Sequence, residues 1–223
     1  MSRFVLTGAT AGVGSAVAAR LAEHDLIVLG RRPEALAEAW PRATVIAADL
    51  SRPESLDDAV AEVVGLPLDG LVHVAGSSTR APIAEADLAG WNVDLAVNLL
   101  APLALTRALL PALRAAHGTV VVVNSVNALW GGGRGSASYT ASKAALRAFA
   151  DQLRVEEAGI RVTSVYPGAV ATDMQRELRA YLGVPYEPSR YASPESVADA
   201  VVHALMAPPD VEIRDVTVVP STR

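Results

Sequence analysis

Cysteine is absent from the 223 residues, which excludes disulfide stapling and thiolate chemistry. Lysine is nearly absent: it occurs once, at Lys143, so every other basic residue is an arginine. Long hydrophobic runs are also missing. Apolar types make up 51% of the chain and mean hydropathy is +0.30. Yet the runs are short and interrupted, and none is expected to reach the roughly 20 residues that cross a bilayer. There is no positive excess either: the net charge is −5 and the pI about 5.4, against the basic face that nucleic-acid binders carry. Four scattered histidines, His24, His73, His117 and His203, lack metal-ligand spacing, so no metal is expected. The start, MSRFVLTGAT, has no basic stretch, long apolar segment or cleavage site. Cytoplasmic residence is the expectation, with small molecules and copies of the same chain as partners.

What is present is a regular alternation. Short aliphatic, β-branched runs lie at 3–7, 26–30, 43–48, 70–75, 118–124, 160–166 and 216–220, between helical patterns near 12–23, 33–40, 53–64, 87–116, 138–158 and 194–206. Strands apolar on both faces, separated by helices, predict an α/β chain: one doubly wound domain over 1–223, with about seven parallel strands covered by helices on both sides. In such a sheet ligands bind beyond the carboxyl ends of the strands, where the winding reverses. The segment 173–193, with two prolines and three tyrosines, is the least regular and is expected to form a lid.

Two stretches carry chemistry. The first strand runs into TGATAGVG, with Gly8, Gly12 and Gly14, and then into a helix bearing Val13, Val17 and Leu21. Glycines let a backbone turn sharply and approach a pyrophosphate, whose charge the amides of a helix N-terminus then meet. The same letters also fit a plain glycine-rich turn. The second stretch is Tyr139-x-x-x-Lys143 in SASYTASKAALRAFADQL. Residues four apart share a helix face, so the lone ammonium is expected beside the phenol. A nearby cation stabilises phenolate and lowers its pKa, and an acidified phenol can exchange a proton with a carbonyl or alcohol oxygen near neutral pH. A surface lysine on an amphipathic helix is the alternative.

Taken together, TGATAGVG at 7–14, HVAG at 73–76, Asn98, Ser125, Tyr139-x-x-x-Lys143 and the Pro167–Gly168 pair resemble the classical short-chain dehydrogenase/reductase family, from the first strand to the last. The resemblance implies a Rossmann-like fold and reversible hydride transfer between a nicotinamide and a carbonyl or alcohol carbon. It implies that Tyr139 exchanges the proton and Ser125 bonds the substrate oxygen, with Asn124 or Asn127 as alternatives. Lys143 would contact the nicotinamide ribose, and Asn98 would help hold a water; a buried polar residue in an apolar helix is its other reading. Gly8, Thr10, Gly12, Val13, Gly14, Ala75 and Gly76 would cradle the cofactor. Pro167, Gly168, Val170 and Thr172 would meet the carboxamide, and Asp49 with Leu50 the adenine, unless Asp49 only caps the next helix. His73 stands where the family often has asparagine and is expected to cap backbone.

At the end of the second strand, where an acid would hold ribose hydroxyls, the chain reads VLGRRPEAL. Gly30 replaces the acid, and Arg31 and Arg32 can grip a 2′-phosphate. NADP(H) is therefore expected over NAD(H), although Arg32 also fits a solvent-facing helix start and Ala11 lacks the basic residue many NADP-preferring relatives carry. A homodimer or homotetramer through the long helices at 87–116 and 138–158 is a further implication. The rival readings are a non-catalytic dinucleotide-binding or sensing protein on the same fold and an NAD(H)-preferring alcohol dehydrogenase.

Overall fold

The seven β-branched runs become strands β1 (Arg3–Thr7), β2 (Asp25–Gly30), β3 (Thr44–Ala47), β4 (Gly70–His73), β5 (Thr119–Val123), β6 (Arg161–Pro167) and β7 (Asp215–Val218). This computed structural model describes residues 1–221; Thr222 and Arg223, the end of the expected domain, lie outside the described residues. The strands form one sheet in the order β3-β2-β1-β4-β5-β6-β7, and every neighbouring pair is parallel. The chain winds outward from β1 to β3, then crosses back to β4 and winds the other way. The crevice between the carboxyl ends of β1 and β4 is thus the point of reversal, where an α/β sheet of this kind takes its ligand.

Strand side chains alternate between two cores. Val5, Leu71, Val120, Val122 and Val162 point to one face, while Phe4, Leu6, Val72, Val121 and Val165 point to the other. The first face receives Leu105, Leu109 and Leu113 of the helix Ala101–Ala116 and Leu146 and Leu153 of the helix Ala137–Glu156. The second receives Val17 and Leu21 of α1 (Gly12–Leu21), Leu36 of α2 (Pro33–Ala39), and Val197, Val201 and Leu205 of Pro194–Leu205. Each fully buried leucine contributes about 1.5–3 kcal/mol relative to exposure, so the two stripes, not helix propensity, hold these helices in place.

Three expectations are corrected. The helix expected over 53–64 is only a 3-10 turn (Pro53–Ser55) followed by α3 (Leu56–Ala59). Adjacent Val63 and Val64, followed by Gly65, are poor helix formers, although Leu56, Val60 and Val63 are still buried. The long helix near 87–116 is interrupted. α4 (Leu88–Leu95) passes into a π-helical segment, Ala96–Leu100, and then α5 (Ala101–Ala116). Ala101 N donates five residues back to Ala96 O, and Pro102 has no N–H with which to restore the ordinary pattern at Asn98. Finally, the irregular segment 173–193 contains α8 (Asp173–Tyr181), which follows the short α6 (Asn127–Trp130) and α7 (Ala137–Glu156); α9 is Pro194–Leu205. The overlooked signal was Thr172 with Gln175 three residues on. Thr172 Oγ1 accepts from Gln175 N at 3.4 Å, half of a capping box.

Among the described residues one helix, Leu88–Ala116, is long and apolar enough to cross a membrane, with hydropathy 1.6, against the expectation of no such stretch. Half of its most apolar window is buried in the protein, because this element is the crossover between β4 and β5 and its apolar stripe faces the sheet.

Candidate active site

At the end of β1, Thr7 Oγ1 accepts from Val74 N (3.2 Å) and Ala75 N (3.3 Å), tying the first loop to the turn after β4. Gly8 lies at φ +81°, and a Cβ there would stand 2.7 Å from Ala75 N. A Cβ on Gly14 would fall well under 3.0 Å from the Gly8 carbonyl. Both positions therefore require glycine. Trp40 Nε1 braces the loop from outside by donating to Ala9 O at 3.0 Å. Ala11 precedes α1 with no side-chain cap, leaving the helix N-terminus to the crevice rather than to a protein side chain. That crevice has a volume of about 640 Å³.

Gly8, Thr10, Gly12, Val13 and Gly14 form one wall of it, with Ala75 and Gly76 beside them. Gly76 is pressed against Asn98, since a Cβ would be 3.3 Å from Asn98 Oδ1 and 3.8 Å from Lys143 Nζ. Arg31, Arg32, Asp49 and Leu50 line the end under β2 and β3. Neither arginine forms an ion pair among the described residues, and both are exposed. Asp49 accepts from Ser51 N (3.0 Å) and Ser51 Oγ (2.7 Å) through Oδ1 alone. Those bonds, ahead of the Arg31 and Arg52 charges, lower its pKa. Asp49 thus forms a turn and still borders the crevice. Any side chain at Gly30 would meet Leu36 Cδ1 at 3.0 Å, so the exchange of acid for glycine there also serves packing.

Pro167, Gly168, Val170 and Thr172 close the opposite side. The Thr172 hydroxyl donates to Val170 O at 3.3 Å while accepting from Gln175 N, so in this state it serves the α8 cap. A smaller groove of about 420 Å³ opens behind Gly12 and Thr172, toward α1 and α9.

Tyr139 and Lys143 share one face of α7, and both line the crevice, together with Ser125 at the end of β5. Lys143 is buried; its Nζ donates to Val123 O at 2.9 Å and lies 5.9 Å from the centre of the Tyr139 ring. Ser125 Oγ accepts from Asn127 N at 3.2 Å. Asn124 has a buried amide nitrogen without a partner among the described residues. Asn98 is fully buried on the π segment. Its Nδ2 donates to Ser77 O and Ser142 Oγ, and its Oδ1 accepts from Ser77 N, all at 2.9 Å. Both donors are spent on protein, which makes Asn98 first an anchor for the turn after β4.

The electrostatics correct the expected direction of the tyrosine shift. Burial raises the Tyr139 pKa, against the opposing pulls of the Ser125 hydroxyl and the Arg80 guanidinium. Burial also pushes Lys143 down to about 8, with Asp94 working the other way. Desolvation acts on every charged form at once. The lysine therefore weakens as a cation in the same interior where it was expected to acidify the phenol.

His73 is buried and bonds Thr106 Oγ1 through Nε2 at 3.0 Å, not the backbone as expected. Burial, and then the Lys143 charge, push its pKa down to about 3. Below pH 6.5 the unfolded chain takes up a proton that the native state refuses. This histidine's contribution is thus complete above that value and is lost as pH falls toward 3. His73→Asn should flatten the fall of thermal midpoint between pH 6.5 and 4 relative to wild type; parallel curves would reject the linkage.

Two residues that sequence reading missed stand beside Tyr139. Asp94 is fully buried on α4 and accepts from Ser77 Oγ (2.8 Å), Thr79 N (3.0 and 3.1 Å), Thr79 Oγ1 (3.3 Å) and Ser138 Oγ (2.6 Å). Arg80 borders the crevice with its guanidinium carbon 6.0 Å from the Tyr139 ring centre. The only sequence signal was an acid at 94, four residues before Asn98, in the mostly apolar run VDLAVNLLAP.

The family model described as short chain dehydrogenase matches residues 3–182. An uncharacterized oxidoreductase of Staphylococcus epidermidis is 30% identical over 97% of this chain and 96% of its own length. Among solved structures, a short chain dehydrogenase from Burkholderia cenocepacia in complex with NADP is 28% identical, with a TM-score of 0.81 over 97% of this chain and 87% of that one. An alcohol dehydrogenase from the archaeon Thermococcus sibiricus, complexed with 5-hydroxy-NADP, shares the fold with a TM-score of 0.89 at 24% identity, over 100% of this chain and 98% of that one. With the family model spanning most of the chain on a seven-stranded parallel sheet, the protein belongs to the short chain dehydrogenase family of oxidoreductases.

Proposed function

We propose that the protein is an NADP(H)-dependent oxidoreductase acting on a carbonyl or alcohol, with Tyr139 as proton donor and acceptor. The observation that carries this reading is the placement of Tyr139 and Lys143, one helical turn apart, on a crevice that begins at the glycine loop where the sheet reverses. The loop fits a dinucleotide: it has no room for side chains at Gly8 and Gly14 and leads into an uncapped helix N-terminus. Gly8, Thr10, Gly12, Val13 and Gly14 would hold the pyrophosphate, and Asp49 and Leu50 the adenine. Ala75, Gly76, Pro167, Gly168, Val170 and Thr172 would border the nicotinamide. When bound, the nicotinamide supplies or takes the hydride.

The protein's own part is the proton. Burial holds the Tyr139 phenol protonated at neutral pH, the form that donates to a carbonyl oxygen. Ser125 can hold that oxygen in line. Lys143, fixed by the Val123 carbonyl, keeps a positive charge behind the phenol below about pH 8, which stabilises the phenolate, the form that takes a proton from an alcohol in the reverse direction. A dinucleotide sensor needs the loop but not this proton apparatus, and a screen of varied carbonyls for loss of NADPH absorbance separates the two. A chain that binds NADPH and reduces nothing is the sensor.

The preference for NADP(H) rests on Arg31 and Arg32, exposed at the crevice end and in no ion pair among the described residues, and the NADP held by the Burkholderia relative agrees with it. Arg31→Ala should weaken NADPH binding roughly ten- to a hundredfold, the range of a charge-assisted bond, and leave NADH binding unchanged, as read by cofactor fluorescence. Equal wild-type affinities for the two cofactors would reject the phosphate grip. Exposed Leu100 on the π segment and Leu103 on α5 and Ala141, Ala144 and Ala148 on α7 suit pairing with a second copy as a homodimer or homotetramer, which a monomeric mass in solution would reject.

A further inference from the structure

Arg80 is a cation that the protein leaves unmatched at the reacting end of the crevice. It is half-buried, with its guanidinium carbon 6.0 Å from the Tyr139 ring centre. Its one described hydrogen bond is from Nη1 to the neutral Ser136 Oγ, at 2.9 Å. The nearest buried carboxylate does not pair with it: Asp94 spends both oxygens on Ser77, Thr79 and Ser138. No carboxylate among the described residues lies within ion-pair distance of Arg80. The charged and titratable groups that do face it are Asp94 from α4, Tyr139 from α7, and Glu177 and Tyr181 from α8. Of these, Glu177 and Tyr181 are exposed.

The loop that carries Arg80 is fixed before any substrate arrives. Asp94 clamps Ser77 and Thr79, and Asn98 clamps the Ser77 backbone on both sides. Burial acts against the guanidinium's charge, and a half-desolvated cation recovers most from an anion brought into the same pocket. Guanidinium geometry matches a carboxylate in two parallel hydrogen bonds. Val93, Val97, Met174, Leu178 and Leu182 line the same crevice and offer apolar surface to a short carbon chain.

We propose that Arg80 is the substrate-anchoring residue for a carboxylate, so that the substrates are short oxo acids or hydroxy acids whose carboxylate lies only a few carbons from the reacting carbon. This rests on the oxidoreductase reading and deepens it. In the reduction, the carbonyl carbon gains the hydride, its oxygen takes the proton from Tyr139, and the carboxylate bound at Arg80 is unchanged.

The test uses the full chain with NADPH and matched pairs of α- and β-oxo acids and their methyl esters, following loss of NADPH absorbance. In wild type the acid of each reduced pair should exceed its ester about tenfold or more in kcat/KM. Arg80→Gln should abolish that ratio, mainly through KM, and Arg80→Lys should restore part of it. Glu177→Gln should preserve it; a loss matching Arg80→Gln would mean that Arg80 serves to latch α8, and would overturn the proposal. A second readout needs no turnover: butanoate should raise the thermal midpoint of the wild-type NADP⁺ complex but not that of Arg80→Gln. Reduction of neutral carbonyls with no acid preference sinks the anchor and keeps the oxidoreductase. Butanoate stabilisation that depends on Arg80, with no carbonyl reduced, keeps the anchor and sinks the oxidoreductase. Neither signal overturns both.

Discussion

Tyr139→Phe should reduce turnover about a hundred- to ten-thousandfold, the range that general acid–base groups supply, while NADPH affinity stays within about twofold of wild type by a direct binding measurement. The substitution deletes one oxygen and leaves the ring on α7. The glycine loop, held by Thr7, Gly8 and Gly14, is built from other elements. The direction of the tyrosine shift sharpens the prediction. Because burial holds the phenol protonated, wild-type carbonyl reduction should keep its rate across neutral pH and decline only on the alkaline side, above the ordinary tyrosine value of 10.0. A rate that already falls below pH 7 as pH rises would show that some other acid limits the reaction. Near-normal turnover in Tyr139→Phe would remove the proton role altogether.

The fold was legible because its code is local. All seven strands were expected within about two residues, since doubly buried strands need continuous β-branched runs and the loops between them need glycine, proline or a cap. The crevice followed from the same reading. The Gly8–Gly14 loop, Ser125 and the Tyr139–Lys143 pair lie far apart in sequence, yet each sits just past the carboxyl end of a strand or in the first two turns of a helix that follows one. What stayed hidden depends on three-dimensional environment. Sequence spacing put an ammonium beside a phenol, but it could not say that both would be buried, and burial reverses the expected shift of the phenol. The π segment around Asn98 arises from Pro102 acting on a helix that periodicity alone describes as continuous. Arg80 and Asp94 carried no motif. Their meaning appears only once Asp94 is seen to be saturated by Ser77, Thr79 and Ser138, which leaves Arg80 on the crevice with no ion pair among the described residues.

Gly14→Ala tests the other half of the site, and its expected effect is as large. The new methyl would drive into the Gly8 carbonyl, a backbone atom that cannot rotate aside like a side chain. Gly8 in turn sits close under the turn after β4, since a Cβ there would stand 2.7 Å from Ala75 N, and its φ of +81° excludes ordinary residues. The strain must therefore move the loop away from α1 or tilt the helix. Overpacking of this kind costs about 1–3 kcal/mol, and at this place the cost falls on the surface that must approach a pyrophosphate. Gly14→Ala should lower the thermal midpoint of the free protein and weaken NADPH binding by more than about tenfold, the equivalent of 1.4 kcal/mol. Gly65→Ala supplies the contrast, because nothing lies within 4 Å of the added methyl, and it should change neither quantity. If Gly14→Ala bound NADPH as wild type does, the backbone of this turn would not be the phosphate cradle, and the dinucleotide would have to be sought elsewhere along the crevice.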